Sequence, residues 1–138
     1  MKEADWNDCL ECNSAIEISF DQGKISSLLE TSKGRISFLK EQKLKEDNAN
    51  YIFEAYYSSI LELLHALLIK NGFKVLNHIC IGYYIRDVIK NEKMFRIFDD
   101  IRFKRNSLIY YGKKMDFHSA KETIEESEKL IRMLEEFL

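Results

Sequence analysis

The chain has 138 residues, 46% of them hydrophobic and 32% charged, with a formal net charge of -2. That length suits one domain with a real apolar core and is too short for two. The balance excludes a disordered acidic chain, the net charge argues against a uniformly basic nucleic-acid binder, and no window approaches the roughly 18 uninterrupted apolar residues of a membrane span.

The N-terminal stretch MKEADWNDCL carries charges of both signs with no apolar run behind them, so no secretory signal is expected and the cytoplasm is the natural compartment. Cys9, Cys12 and Cys80 are odd in number, and the spacing of the first two suits one helical face better than a disulfide framework, so free thiols are expected. A Cys-x-x-Cys pair can hold zinc only with two further ligands, for which Cys80 and His78 are the nearby candidates; core cysteines are the preferred reading, and no metal or cofactor is expected.

There is no proline, and strands of alternating β-branched residues are absent, so helices joined by glycine or polar breaks are expected throughout. A first helix carries Trp6, Leu10, Asn13, Ile16 and Phe20. A second carries Ile25, Leu28, Leu29, Ile36 and Leu39, and KLKEDN reads as a charged loop after it. The third, ANYIFEAYYSSILELLHALLIKNG, is apolar nearly all round, which marks the central helix of a bundle, with Gly72 as its stop. A short fourth starts from about Asn77, with Ile81, Tyr84, Ile85 and Val88 on one side. The fifth runs from about Glu92 to Tyr111 and stops at Gly112. The last has a narrow seam of Phe117, Ala120, Ile124, Ser127, Ile131, Leu134 and Leu138. Ser119 and Glu122 read as its capping box, with Phe117 as an anchor just before the helix. The expected fold is all-α: a single domain over residues 1–138, an up-and-down antiparallel bundle of four to six helices.

Charge is unevenly spread. From Lys93 to Lys114 seven cations face two acids, a local +5; from Asp116 to Leu138 seven acids face three cations, a local -4. Two readings are open: the last two helices pair their surfaces, or the basic segment binds a polyanion. On the fifth helix the apolar face runs Phe95, Phe98, Arg102, Arg105 and Ile109, so arginine twice stands where leucine would. Burying an unpaired guanidinium costs several kcal/mol, on the order of the penalty for any buried ion. Such residues therefore meet carboxylates, end in a wet cleft, or lie under a second subunit. Asp99, one turn back, is an available partner for Arg102, and Arg105 can carry its charge outward along its methylenes. Arg105, Asn106 and Tyr110 also fall within little more than a turn. A guanidinium, a carboxamide and a phenol can thus converge on one ligand, and the planar fork of arginine suits a phosphate.

The stretch AYYSSILELLHALLIKNG, the Asn77-His78 start of the fourth helix, and RFKRNSLIYYG followed by an acidic helix together resemble the HEPN domain, over roughly residues 50–138. The resemblance implies a small helical bundle, usually a homodimer. Many of its members are ribonuclease toxins encoded beside a minimal nucleotidyltransferase that serves as antitoxin. Their motif is Arg, often a following polar residue, then His after a gap of four to six. Arg105 and Asn106 match its opening; Tyr110 and Tyr111 stand where the histidine is expected.

Carried over, the resemblance gives Arg105 as phosphate binder, Asn106 as orienting group and Tyr110 at the histidine position, with Arg102, Lys104, Tyr111 and Lys113 contacting RNA or nucleotide. Tyr110 or Tyr111 would be the tyrosine that a nucleotidyltransferase partner modifies. The expected function is a metal-independent endoribonuclease. The alternatives are a non-catalytic module that binds nucleotide or RNA or docks on a nucleotidyltransferase, and a purely structural homodimer. Tyrosine, with a pKa near 10, is a poor base, while histidine titrates near neutrality. Of the three histidines, His65 reads as a core residue bonded to a neighbouring turn, His78 as structural, and His118 as too distant unless the last helix folds back. The tyrosine pairs 56–57 and 83–84 read as core with hydroxyls at the rim.

Overall fold

A computed structural model describes residues 3–138. Its elements are α1 (Trp6–Glu11), β1 (Ala15–Glu17), α2 (Gln22–Lys40), α3 (Ala49–Lys70), β2 (Phe73–Val75), α4 (His78–Tyr84) with a π-helical turn (Ile85–Ile89), α5 (Glu92–Tyr111) and α6 (Phe117–Glu135). The fold is an all-α bundle of helices around α3. Fourteen of the 22 residues of α3 are buried, because its apolar side chains point in every direction and α2, α5, α6 and β2 pack against it. By length and composition α3 could cross a bilayer, but 67% of its most apolar window is buried inside this bundle. The core joins Phe53, Tyr57, Ile60 and Leu64 of α3 to Phe98 and Ile101 of α5 and Leu130 and Leu134 of α6.

Four expectations are corrected here. The first helix does not reach Phe20. It ends at Glu11, Asn13 takes φ 60, and the chain leaves the helix for β1. Asn tolerates that left-handed backbone where other residues resist it. Strands are also present: β1 and β2 pair antiparallel with Ala15 opposite Val75, and Ile18 N–H and Leu76 N–H close the ribbon on the carbonyls of Gly72 and Ser14 at 2.8 and 2.7 Å. Gly72 turns into β2 at φ 88, a backbone that favours glycine. Third, α6 begins at Phe117. Its N-cap is Asp116, whose carboxylate accepts from Ser119 N–H at 2.8 Å, while Glu122 pairs with His118. Fourth, Cys9 and Cys80 are joined in a disulfide, and Cys12 is the only free cysteine among the described residues. A sequence separation of 71 residues hid a contact that folding creates.

Val88 departs from the expected inward row as well, being 44% exposed while Ile81, Tyr84 and Ile85 are buried. The π turn adds a residue and rotates the end of the segment out of register.

The α5–α6 connection is held from within. Buried Asn50 of α3 donates to Met115 C=O at 2.9 Å and accepts from Met115 N–H at 3.0 Å. Asn50→Ala leaves both backbone groups without partners, at about 1–3 kcal/mol for a buried orphan. We expect a urea midpoint lowered to match, with the slope unchanged.

Candidate functional site

Along α5 the buried residues Met94, Ile97, Phe98 and Ile101 define the inward side. Arg105 takes the next place in that row, four residues after Ile101. Its Nε is buried without a hydrogen-bond partner, and its guanidinium carbon lies 5.4 Å from the centroid of the Tyr57 ring. Arg102 is different: its Nε and one terminal nitrogen donate to Asp99 Oδ1 at 3.2 and 2.9 Å, so its charge is met within its own helix.

The other ion pairs of α5 are also internal, Arg96 with Glu92 and Lys104 with Asp100. Among the described residues no ion pair joins α5 to α6. Among the described residues Arg105 has no carboxylate partner.

What Arg105 faces was not expected. Tyr57, 1% exposed, stacks on Phe98 with centroids 6.2 Å apart, and its hydroxyl lies 3.1 Å from His78 Nδ1. Asn77 puts His78 there. It caps α4 by accepting from Cys80 N–H at 2.9 Å, and His78 is the first residue of that helix. Burial raises the Tyr57 phenol well above its ordinary range, and the positive charges of Arg105 and Arg102 only partly oppose that. Burial lowers the His78 imidazole, and the charges of Arg105, His65 and Arg102 lower it further. A neutral phenol and a neutral imidazole therefore stand bonded beside a permanent cation. The imidazole proton can sit on either nitrogen.

Around this cluster the expected residues divide. Arg105 and Arg102 face it, and Tyr110 lies within electrostatic reach of the Tyr57 phenol although 68% exposed. Asn106 is half-buried on the adjoining strip. Tyr111, 81% exposed, projects from the helix end. Lys104 and Lys113 belong elsewhere. They line a 330 Å³ cavity with Phe103 and Ser107, which lie about 160° round the helix from Arg105 at 3.6 residues per turn.

His118 is exposed and paired with Glu122 on α6. Among the described residues His65 has no hydrogen bond to a neighbouring turn; it lines a 220 Å³ cavity with Lys24 and Lys74. Among the described residues no group of three or more His, Cys, Asp or Glu side chains gathers as a metal site requires.

Sequence reasoning missed Tyr57 and the place of His78. The Asn77-His78 helix start was visible, but its contact with a residue 21 positions earlier is tertiary.

His65 and His78 both have lowered pKa values, from burial first. The unfolded chain binds protons near pH 6.5 that the fold refuses, so stability is complete above that pH and falls as pH drops through it. Thermal denaturation at pH 7.5 and pH 5.5 should show a lower midpoint at pH 5.5, and His78→Gln should reduce the difference, leaving the part due to His65.

Compared with family models, curated proteins and solved structures, the chain matches none.

Proposed function

We propose that this chain acts on RNA as a metal-independent endoribonuclease, in the manner of the HEPN domains its sequence resembles. The reading rests on one observation: Arg105 is half-buried on the inward row of α5, with a buried Nε and, among the described residues, no carboxylate partner, beside a neutral Tyr57–His78 pair. A guanidinium kept unpaired at such a place is suited to a phosphodiester, whose oxygens would supply the missing hydrogen bonds and charge.

Cleavage by internal transesterification needs the 2′-hydroxyl deprotonated, charge on phosphorus stabilised and the 5′-oxygen protonated. Arg105 stabilises the phosphorane. His78 is the base, with its Nδ1–H donating to Tyr57 and Nε2 left free to accept the 2′-hydroxyl proton, while the departing 5′-oxygen takes its proton from water. Arg102, already tied to Asp99, adds field and not a contact. Asn106 orients the ligand, and exposed Tyr110 flanks it. The resemblance adds a homodimer joined across the arginine side of α5 and a nucleotidyltransferase antitoxin as partner, with Tyr110 or Tyr111 as acceptor.

One assay tests this. With a structured RNA and chelator present, His78→Gln should lower the cleavage rate by about 10²–10⁴-fold, the usual worth of a general base. An unchanged rate in a folded variant removes His78 from the chemistry.

The second reading is a non-catalytic RNA- or nucleotide-binding module, favoured by tyrosine at position 110. It gives binding that depends on Arg105 and no cleavage products from the wild-type chain.

A further inference from the structure

Cys9 of α1 and Cys80 in the first turn of α4 are each 3% exposed, so their disulfide is shut away from solvent. Cys12, three residues after Cys9 and at the C-cap of the same helix, is an exposed free thiol. Its Sγ lies 3.6 Å from the Cys9 carbonyl oxygen and 3.2 Å from Ser14 Oγ. A sulfur nucleophile thus stands at the surface end of a buried disulfide, on the helix that carries one of its two sulfurs. Residues three apart on a helix have Cβ atoms about 5–6 Å apart. A side-chain rotation and a small closing of the helix end bring that pair within disulfide reach. The Ser14 hydroxyl lowers the Cys12 thiol below its ordinary pKa, which enlarges the reactive thiolate fraction.

We propose that Cys9, Cys12 and Cys80 form a thiol–disulfide exchange centre through which a soluble dithiol opens the crosslink between α1 and α4. Cys12 gives its proton to water and its thiolate attacks Cys9 Sγ. The Cys9–Cys12 bond forms, the Cys9–Cys80 bond breaks, and the electron pair leaves on Cys80, which takes a proton from solvent. Nothing is oxidised or reduced in that step.

The new disulfide has one sulfur at the surface. A thiolate of the dithiol attacks Cys12 Sγ and expels Cys9 as a thiolate. The second thiol of the reagent then closes its own disulfide and releases Cys12. Two electrons have passed from the dithiol to the protein, which now holds three thiols. Direct attack on Cys9 or Cys80 is blocked by their burial; the relay through Cys12 is not.

The crosslink ends in the turn that starts with His78 and is tied by Asn77 to Cys80 N–H, so opening it removes the covalent tie between that turn and α1 and leaves the contacts of Trp6 with Tyr84 and Asp87. The inference does not rest on the RNA reading.

The test uses the full chain purified without reductant. Dithiothreitol is added under native conditions, samples are quenched with iodoacetamide, and the loss of the Cys9–Cys80 linked peptide is followed by mass spectrometry. Cys12→Ser should open at least about tenfold more slowly than wild type, since attack then awaits exposure of a buried sulfur. Cys12 is exposed, so the variant keeps the fold. Equal rates in the two proteins overturn the proposal, as does purified oxidised protein lacking the Cys9–Cys80 link.

Discussion

Replacing Arg105 with methionine is expected to make the protein more stable and far less able to handle RNA. The two effects have one cause. Arg105 is half-buried at the next inward place after Ile101, its Nε has no partner, and its guanidinium lies over the face of Tyr57. A cation over an aromatic ring returns about 0.5–2 kcal/mol, while an unpartnered buried donor such as the Nε–H costs about 1–3 kcal/mol. Methionine keeps the packing of the methylenes and removes the unpartnered donor, so a gain of about 0.5–1 kcal/mol is expected from urea denaturation. The cleavage rate should fall by about 10²–10³-fold, the usual cost of deleting a group that stabilises transition-state charge. If the protein binds without cutting, affinity falls instead. Loss of stability together with unchanged RNA handling would make Arg105 a structural residue.

Phe98→Ala should be the most damaging of the core truncations beside the site. Phe98 is 0% exposed and forms the platform on which Tyr57 lies, with the rings inclined by only 18°. It also meets α4, since a Cβ at Gly82 would be 3.5 Å from Phe95 Cε1 and 3.6 Å from Phe98 Cδ2. Removing the ring opens a cavity where α3, α4 and α5 converge, at about 3–5 kcal/mol for a buried phenylalanine. Tyr57 loses its support as well, so the His78 imidazole, no longer held in a dry site, should titrate closer to an ordinary histidine. Urea denaturation and histidine NMR measure the two effects. A cost under about 1 kcal/mol would mean that the site can collapse onto the gap, which this packing does not allow.

Much of the bundle was readable because its signals are local. The all-round apolarity of α3, the glycines that end the third and fifth segments, and the periodicity of α5 and α6 each act within a turn or two. The bounds Ala49–Lys70 and Glu92–Tyr111 accordingly match the periodic segments. Where local signals competed, the reading slipped. Ser119 and Glu122 imitate a capping box, yet Asp116 reaches the first turn and takes the cap. Apolar residues up to Phe20 imitate a helix, yet Asn13 turns the chain and three residues pair with β2.

The candidate site was half legible. Arginine in a leucine row is a sequence signal, and Arg105 does stand in that row. Its neighbours Tyr57 and His78, and the bond from Cys9 to Cys80, depend on which helices meet, and the spacing within any one helix carries no trace of that.

The most direct measurement tracks the Nε–H resonances of the arginines in ¹⁵N-labelled protein as a short single-stranded RNA is added. The Arg105 Nε–H, which has no partner in the free protein, should shift and saturate with RNA, while that of Arg102, held on Asp99, moves little. An Arg105 resonance that stays in place at saturating RNA would contradict the account.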